Sequence, residues 1–209
     1  MTSETKRNTL FDNLITPDNC QLLLIDYQAV QINTVNSGDR SQLVKRATLA
    51  TKAFKYFQIP IVLTTLNIGI GLAKDTIPPI KNLLPDWKSF DRTSINPFED
   101  RDVKQAIEKN HRKKLLISGL WTESSVSFAS LDALNSDFQV FVLVDTLGVT
   151  SKLAHEMALQ RMQQAGVTLT TFNQVLCELQ RDWGRHNTIP GFVDALYSSG
   201  MYLPTAERK

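Results

Sequence analysis

Two hydrophobic rhythms alternate along the chain. Gln21-Leu-Leu-Leu-Ile-Asp26 is an unbroken apolar run closed by an acid. A run of this kind, without alternation, is buried on both faces, as in a parallel sheet. Over residues 41–57 the rhythm changes. Leu43, Ala47, Ala50, Phe54 and Phe57 recur at three- and four-residue spacing, with Lys45, Lys52 and Lys55 between them. That spacing predicts an amphipathic helix. Pro60 then leads into a second strand, Ile61-Val-Leu-Thr-Thr65. Residues 66–100 lose both rhythms and carry Gly69, Gly71, Pro78, Pro79, Pro85 and Pro97. So long an irregular stretch inside a compact domain is usually functional.

Regularity resumes with a helix over 100–110 and a strand over Lys114-Leu-Leu-Ile-Ser118, ending at Gly119. A helix over 123–135 carries Val126, Ala129, Leu131, Ala133 and Leu134, and Gln139-Val-Phe-Val-Leu-Val-Asp145 reads as the next strand. A helix over 151–165, with Leu153, Met157 and Met162 among its apolar positions, is capped by Gly166. Val167-Thr-Leu-Thr-Thr171 is a last strand, and helices near 174–182 and 190–199 close the chain. Repeated strand–helix alternation predicts an α/β fold: three layers, Rossmann-like, with a mainly parallel sheet of about six strands flanked by helices. No composition shift divides the chain, so residues 1–209 are read as one domain, with residues 1–15 as an N-terminal arm.

Composition narrows the function. The 209 residues are 42% hydrophobic and 21% charged, with a net charge of +2. That is an ordinary globular balance. It offers no argument for nucleic acid or a membrane surface as partner. No apolar run approaches the ~20 residues a membrane helix needs, and the polar N-terminus lacks the apolar core of a signal peptide. Two cysteines far apart, Cys20 and Cys177, suit a reducing compartment, so a cytoplasmic location is expected. Cys177 lies in an amphipathic stretch and reads as a buried small hydrophobe.

Candidate chemistry follows from the fold. Open parallel sheets bind ligands outside the carboxyl ends of their strands. Asp26, Thr65, the turn Gly119 to Ser125, and Asp145 occupy such positions. Asp26 is the sharpest, because an acid at the tip of an apolar strand is costly to bury unpaired. A catalytic carboxylate and a structural one bonded to backbone amides weigh about equally there. The turn Gly119-Leu-Trp-Thr-Glu-Ser-Ser125 meets a helix N-terminus, where free amides favour an anion. That suits a nucleophile beside an oxyanion hole, but Thr122 or Ser124 as a simple helix cap is the commoner use of such residues. Gly69-Ile-Gly71 lacks the later glycine of a phosphate loop. His111, His155 and His186 do not fall at metal-ligand spacing, and no Asp-x-His follows the second strand, so no metal and no cofactor is expected. Trp87 and Trp121 could line an apolar pocket, although aromatic residues are more often core.

Several stretches together resemble the isochorismatase-like hydrolases, and most closely their YcaC-related branch. They are Leu22-Leu-Leu-Ile-Asp26-Tyr-Gln28, Tyr56 to Thr65, Arg92-Thr-Ser-Ile-Asn96, Gly119-Leu-Trp-Thr-Glu123, Phe138 to Asp145, Arg161 to Gly166, and Cys177 to Trp183. They span nearly the whole chain in the right order. The resemblance implies a hydrolase that acts on a small molecule with an aspartate, a basic residue and a cysteine. The aspartate maps to Asp26. The basic residue maps to Arg92, with Lys88 as a rival. The cysteine position holds Ser125. The resemblance also implies a cis peptide between Leu120 and Trp121, aiming amides into the site, and a homo-oligomer. A thiol has a pKa near ~8.5 and ionises readily in such a site; a hydroxyl normally needs a well-placed base. Three outcomes stay open: slow nucleophilic attack by Ser125 with Asp26 as base, acid chemistry by Asp26 on a vinyl ether, or a catalytically silent binding or scaffold protein.

Overall fold

The computed structural model describes residues 12–200. Six strands form one sheet: β1 (Cys20–Ile25), β2 (Ile61–Leu66), β3 (Ser89–Arg92), β4 (Lys114–Gly119), β5 (Gln139–Leu143) and β6 (Thr168–Thr170). Their order is β3-β2-β1-β4-β5-β6, and every neighbouring pair is parallel. The chain therefore winds outward from β1 through β2 to β3, returns to β4, and winds out the other way. β1 and β4 flank the point where the direction reverses. A crevice opens beyond the carboxyl ends of the strands at such a point.

The unbroken apolar runs have the predicted cause. Along β1, Leu22 and Leu24 join one core, while Leu23 and Ile25 join the other. The first core is closed by α2 (Arg40–Tyr56), α3 (Pro78–Lys81), α7 (Phe172–Gln180) and α8 (Ile189–Ser198). The second is closed by α4 (Arg101–Glu108), α5 (Ser127–Asn135) and α6 (Lys152–Ala165). The result is three layers. One further short helix, α1 (Ala29–Ile32), follows β1 directly.

The structure corrects the sequence reading in three places. Residues 66–100 are not wholly irregular: they contain α3, β3 and a 3₁₀ turn at Pro97–Glu99. β3 is a half-exposed edge strand with sequence SFDR, so it has no apolar run to betray it. The strand ending at Asp145 stops at Leu143, and Asp145 sits in a 3₁₀ turn, where it accepts from Phe172 N–H (2.9 Å) and pairs with Arg46 (3.1 Å). Cys177 is exposed, because Phe172, Val175, Leu176 and Leu179 take the buried stripe of α7. On α6, Leu153 and Met157 face solvent, and only Ala158 and Met162 are buried. Most of the N-terminal arm, residues 1–11, lies outside the described residues. Residues 12–15 are tied down: Lys114 Nζ donates to the carbonyls of Asp12 (2.6 Å) and Leu14 (2.9 Å), and Ile15 is fully buried.

β1 and β4 approach so closely at their carboxyl ends that Gly119 has no room for a side chain. A Cβ there would lie 2.5 Å from Ile25 Cβ and 2.6 Å from Ile25 O. Neither atom can swing away, since both belong to the neighbouring strand. Gly119→Ala is expected to destabilise the protein by ~2 kcal/mol or more, as overpacking against fixed neighbours does. Urea denaturation checks this, and a midpoint within error of wild type would refute it.

Candidate active site

Each candidate side chain owes its place to the end of a strand or to the turn that follows it. Asp26 follows β1 and takes a left-handed conformation (φ 54°), which Asp tolerates better than most residues. The turn points its carboxylate across the sheet. Arg92, the last residue of β3, reaches back over β2 to meet it. Nη1 lies 2.7 Å from Asp26 Oδ1 and Nη2 lies 2.8 Å from Oδ2. Arg92 also donates to Thr65 O (3.1 Å) and Ile95 O (3.2 Å). Thr64 Oγ1 adds a third bond to Asp26 Oδ1 at 3.1 Å. Both members of the ion pair are buried. Burial pushes the Asp26 carboxyl above the usual carboxylate range, and the Arg92 and Thr64 bonds hold it partly back. Lys88 lies elsewhere, its Nζ 4.5 Å from the Phe90 ring centroid.

The other bank of the crevice is the segment leaving β4. Leu120 N–H donates to Ile25 O (3.0 Å), which keeps this segment against β1. The peptide joining Leu120 to Trp121 is cis. Residues Thr122–Val126 then form one π-helical turn that runs into α5, and Ser125 is buried in it. No side chain caps this turn. Thr122 instead donates to Gly148 O (3.3 Å) and shares a 2.9 Å bond with His155 Nδ1 from α6. Burial holds His155 below its ordinary pKa, so it is neutral near pH 7. Trp121 Nε1 donates to Thr34 Oγ1 (2.9 Å) and Gln31 O (3.4 Å), closing the crevice beside α1.

The structure thus joins Asp26 and Arg92 directly and sets Ser125 on the adjacent strand end. Among the described residues no hydrogen bond links Ser125 Oγ to Asp26. Thr64 and His155 escaped the sequence reading. Thr64 ends the second apolar run beside β1, and that adjacency was the available signal. His155 lies 33 residues from Thr122, with nothing local to pair them. Among the described residues no group of three or more His, Cys, Asp or Glu side chains could hold a metal ion, and no helix is long and apolar enough to cross a membrane.

A parallel α/β sheet with an acid–arginine pair and a serine-bearing turn at its reversal point has its polar groups where open α/β sheets bind ligands. The chain belongs to the isochorismatase family: the Isochorismatase domain model matches residues 20–174. It is similar to the probable hydrolase YcaC of Escherichia coli, with 32% identity over 173 residues covering 82% of each chain. The E. coli YcaC structure, described as an octameric hydrolase of unknown specificity, superposes with a TM-score of 0.84 at 30% identity, covering 90% of this chain and 91% of that one. YcaC from Pseudomonas aeruginosa, solved with hexane-2,5-diol and covalent acrylamide, superposes with a TM-score of 0.84 at 28% identity, covering 90% and 92%.

The ion pair yields a stability test. Arg92→Met leaves the Asp26 carboxylate buried without a charge partner and is expected to cost ~3–5 kcal/mol at neutral pH. Adding Asp26→Leu removes the stranded charge and should recover most of that loss. Equilibrium denaturation of the single and double variants measures it. A double variant as unstable as the single one would show that packing, not charge pairing, sets the cost.

Proposed function

We propose that the protein is a hydrolase of small molecules in which Asp26 is the acid–base group, Arg92 its charge partner and Ser125 the attacking group. The observation that carries this reading is the buried, bidentate Asp26–Arg92 pair beside the serine turn. In the proposed cycle the Asp26 carboxylate takes the Ser125 hydroxyl proton as Oγ attacks the carbonyl carbon. With Leu120 N–H held by Ile25 O, the main-chain N–H of Trp121 is the donor this turn offers to the developing oxyanion. The proton passes to the leaving nitrogen and the C–N bond breaks. A water, deprotonated by Asp26, then attacks the acyl-serine; the bond from the acyl carbon to Ser125 Oγ breaks, Oγ takes the proton back from Asp26, and the acid leaves. Arg92 keeps Asp26 oriented throughout. The protein works as a homo-oligomer in the cytoplasm, without metal, cofactor, membrane or nucleic acid. The octameric E. coli relative supports the first point.

Ser125 sets the rate of this chemistry. Wild type is expected to be slow on amides, well below the ordinary range of ~1–1000 per second. Ser125→Cys is expected to gain covalent reactivity toward acrylamide, the electrophile found bound in the P. aeruginosa relative, because the cation and amides around position 125 favour a thiolate. Intact-mass spectrometry reads the adduct. If the cysteine variant stays unmodified and wild type turns over none of a panel of amides, nitriles, ureides and isochorismate, the protein is a silent binding scaffold. Turnover lost in Asp26→Ala but kept in Ser125→Ala marks acid chemistry on a vinyl ether.

The raised carboxyl also predicts the pH profile. Catalysis needs Asp26 deprotonated, and burial moves its titration upward. The acid limb of kcat/KM should therefore have its midpoint above the ~3.9 of an ordinary aspartate. A limb at or below that value would remove Asp26 as the base.

A further inference from the structure

The outer edge of the sheet is incomplete at its amino end, the end opposite the Asp26 crevice. β3 pairs with β2 only from Leu63 onward, where Leu63 meets Ser89. Ile61 and Val62, the first two residues of β2, therefore have no strand beyond them. The chain before β3 turns away instead, with Trp87 N–H donating to Leu84 O (3.2 Å). A cavity of about 590 Å³ occupies the gap, a size that holds a small organic ligand. Ile61 and Val62 are part of its wall. Trp87 lines it from the side of the first core and Phe90 from the side of the second, and both rings are half-buried.

The charges on this lining have one sign. Lys55, in the last turn of α2, and Lys109, at the end of α4, both line the cavity, and no Asp or Glu does. Its other polar side chains are neutral carboxamides. Among the described residues neither lysine pairs with a carboxylate. Lys55 gives one N–H to Leu83 O (2.6 Å) and stands 5.5 Å from the Trp87 ring centroid, which leaves it further donors. The carboxyl ends of α2 and α4 oppose an anion only through partial charges that fade within the last turn. Two full cations outweigh them.

A ligand matched to this lining has a flat apolar body and one anionic group. We propose that the cavity is a binding site for a small aromatic carboxylate, with its rings against Trp87 and Phe90 and its carboxylate held by Lys55 and Lys109. Ring–ring contact adds to simple burial, which favours an aromatic body over an aliphatic one of the same size. The carboxylate exchanges water for cations that have no other anion to serve. Because the cavity lies at the amino ends of the strands, its occupant is a second ligand and not the molecule that meets Asp26 and Ser125. The site is independent of the proposed hydrolysis.

The test uses three probes of one shape: naphthoate, its neutral amide naphthamide, and its saturated form decahydronaphthoate. Binding to the full chain is read by ligand-detected NMR titration. Wild type is expected to bind naphthoate about fivefold more tightly than naphthamide, the scale of one or two exposed ion pairs. It should bind naphthoate about threefold more tightly than the saturated acid, the scale of an aromatic contact. Both lysines are exposed, so the double variant Lys55→Gln with Lys109→Gln should keep the wild-type thermal midpoint. It should weaken naphthoate about fivefold and leave naphthamide within about twofold, which abolishes the preference for the acid. Added salt should weaken the two acids and spare the amide. Trp87→Leu should remove the preference for the aromatic acid over the saturated one. Ser125→Ala, at the other end of the sheet, should change none of the three. The proposal is overturned if naphthoate does not bind, as when a second copy of the chain closes the cavity. It is overturned if the acid preference survives the double lysine variant, or if the saturated acid binds as well as the aromatic one. Loss of naphthoate binding in Ser125→Ala would place the probe in the crevice and overturn it too. Turnover in Asp26→Ala bears on the hydrolase reading alone and leaves these titrations as they stand.

Discussion

The bidentate contact between Asp26 and Arg92 is the constraint on which the carboxyl edge of this molecule rests. A short edge strand of four residues has little to hold it. Its last side chain crosses the whole width of β2 to reach the end of β1, bonding to Thr65 O on the way and to Ile95 O beyond. One guanidinium thus fixes three consecutive strand ends and the start of the loop after β3. Removing two charges from water is expensive, and their attraction offsets that cost only when geometry and further hydrogen bonds are good. Here Thr64 and two carbonyls supply those bonds. The pair is better understood as fixing a geometry than as a source of net stability.

How much of this was legible in the sequence depends on whether the signal was local. β1, β2, β4 and β5 announce themselves because both faces are buried, which leaves an unbroken apolar run. β3 does not, because an edge strand with exposed positions reads Ser-Phe-Asp-Arg. Asp26 stood out from its place at the tip of an apolar run. Its bond to Arg92 joins residues 66 apart, and only the resemblance singled out Arg92, with Lys88 as a rival. On α6, Leu153 and Met157 fit a helical stripe but lie on its outer side. Periodicity shows that a stripe exists and leaves open which of two overlapping stripes meets the sheet. Cys177 went astray for a related reason: an amphipathic helix has a wet face, and a lone cysteine can sit on it.

The polar residues around the crevice were the least legible of all, for a physical reason. Gln28 and Gln31 read as ordinary polar positions after a strand. Their meaning comes from the loop that returns at Leu66 and Lys74, which saturates one carboxamide and leaves the other half free. Which polar groups stay unpaired is decided only once tertiary bonds are made, and no sequence pattern carries that remainder.

The serine decides what such a crevice can do. Ionising a thiol of pKa ~8.5 near neutral pH costs little. A serine hydroxyl is far less acidic than a thiol, so ionising it near neutral pH costs much more. Raising the basicity of Asp26 by burial narrows that gap without closing it, and Arg92 works against the rise. A free alkoxide is therefore not an accessible intermediate here. In the proposed reaction, proton transfer from Ser125 has to accompany bond formation to carbon, so that the oxyanion receives the charge as it appears. The demand on catalysis shifts from making a nucleophile to holding the substrate carbonyl in place while the proton moves. In a cysteine enzyme the thiolate is ready before the substrate arrives. With serine, the hydrogen bonds that orient the substrate must supply the advantage the nucleophile lacks.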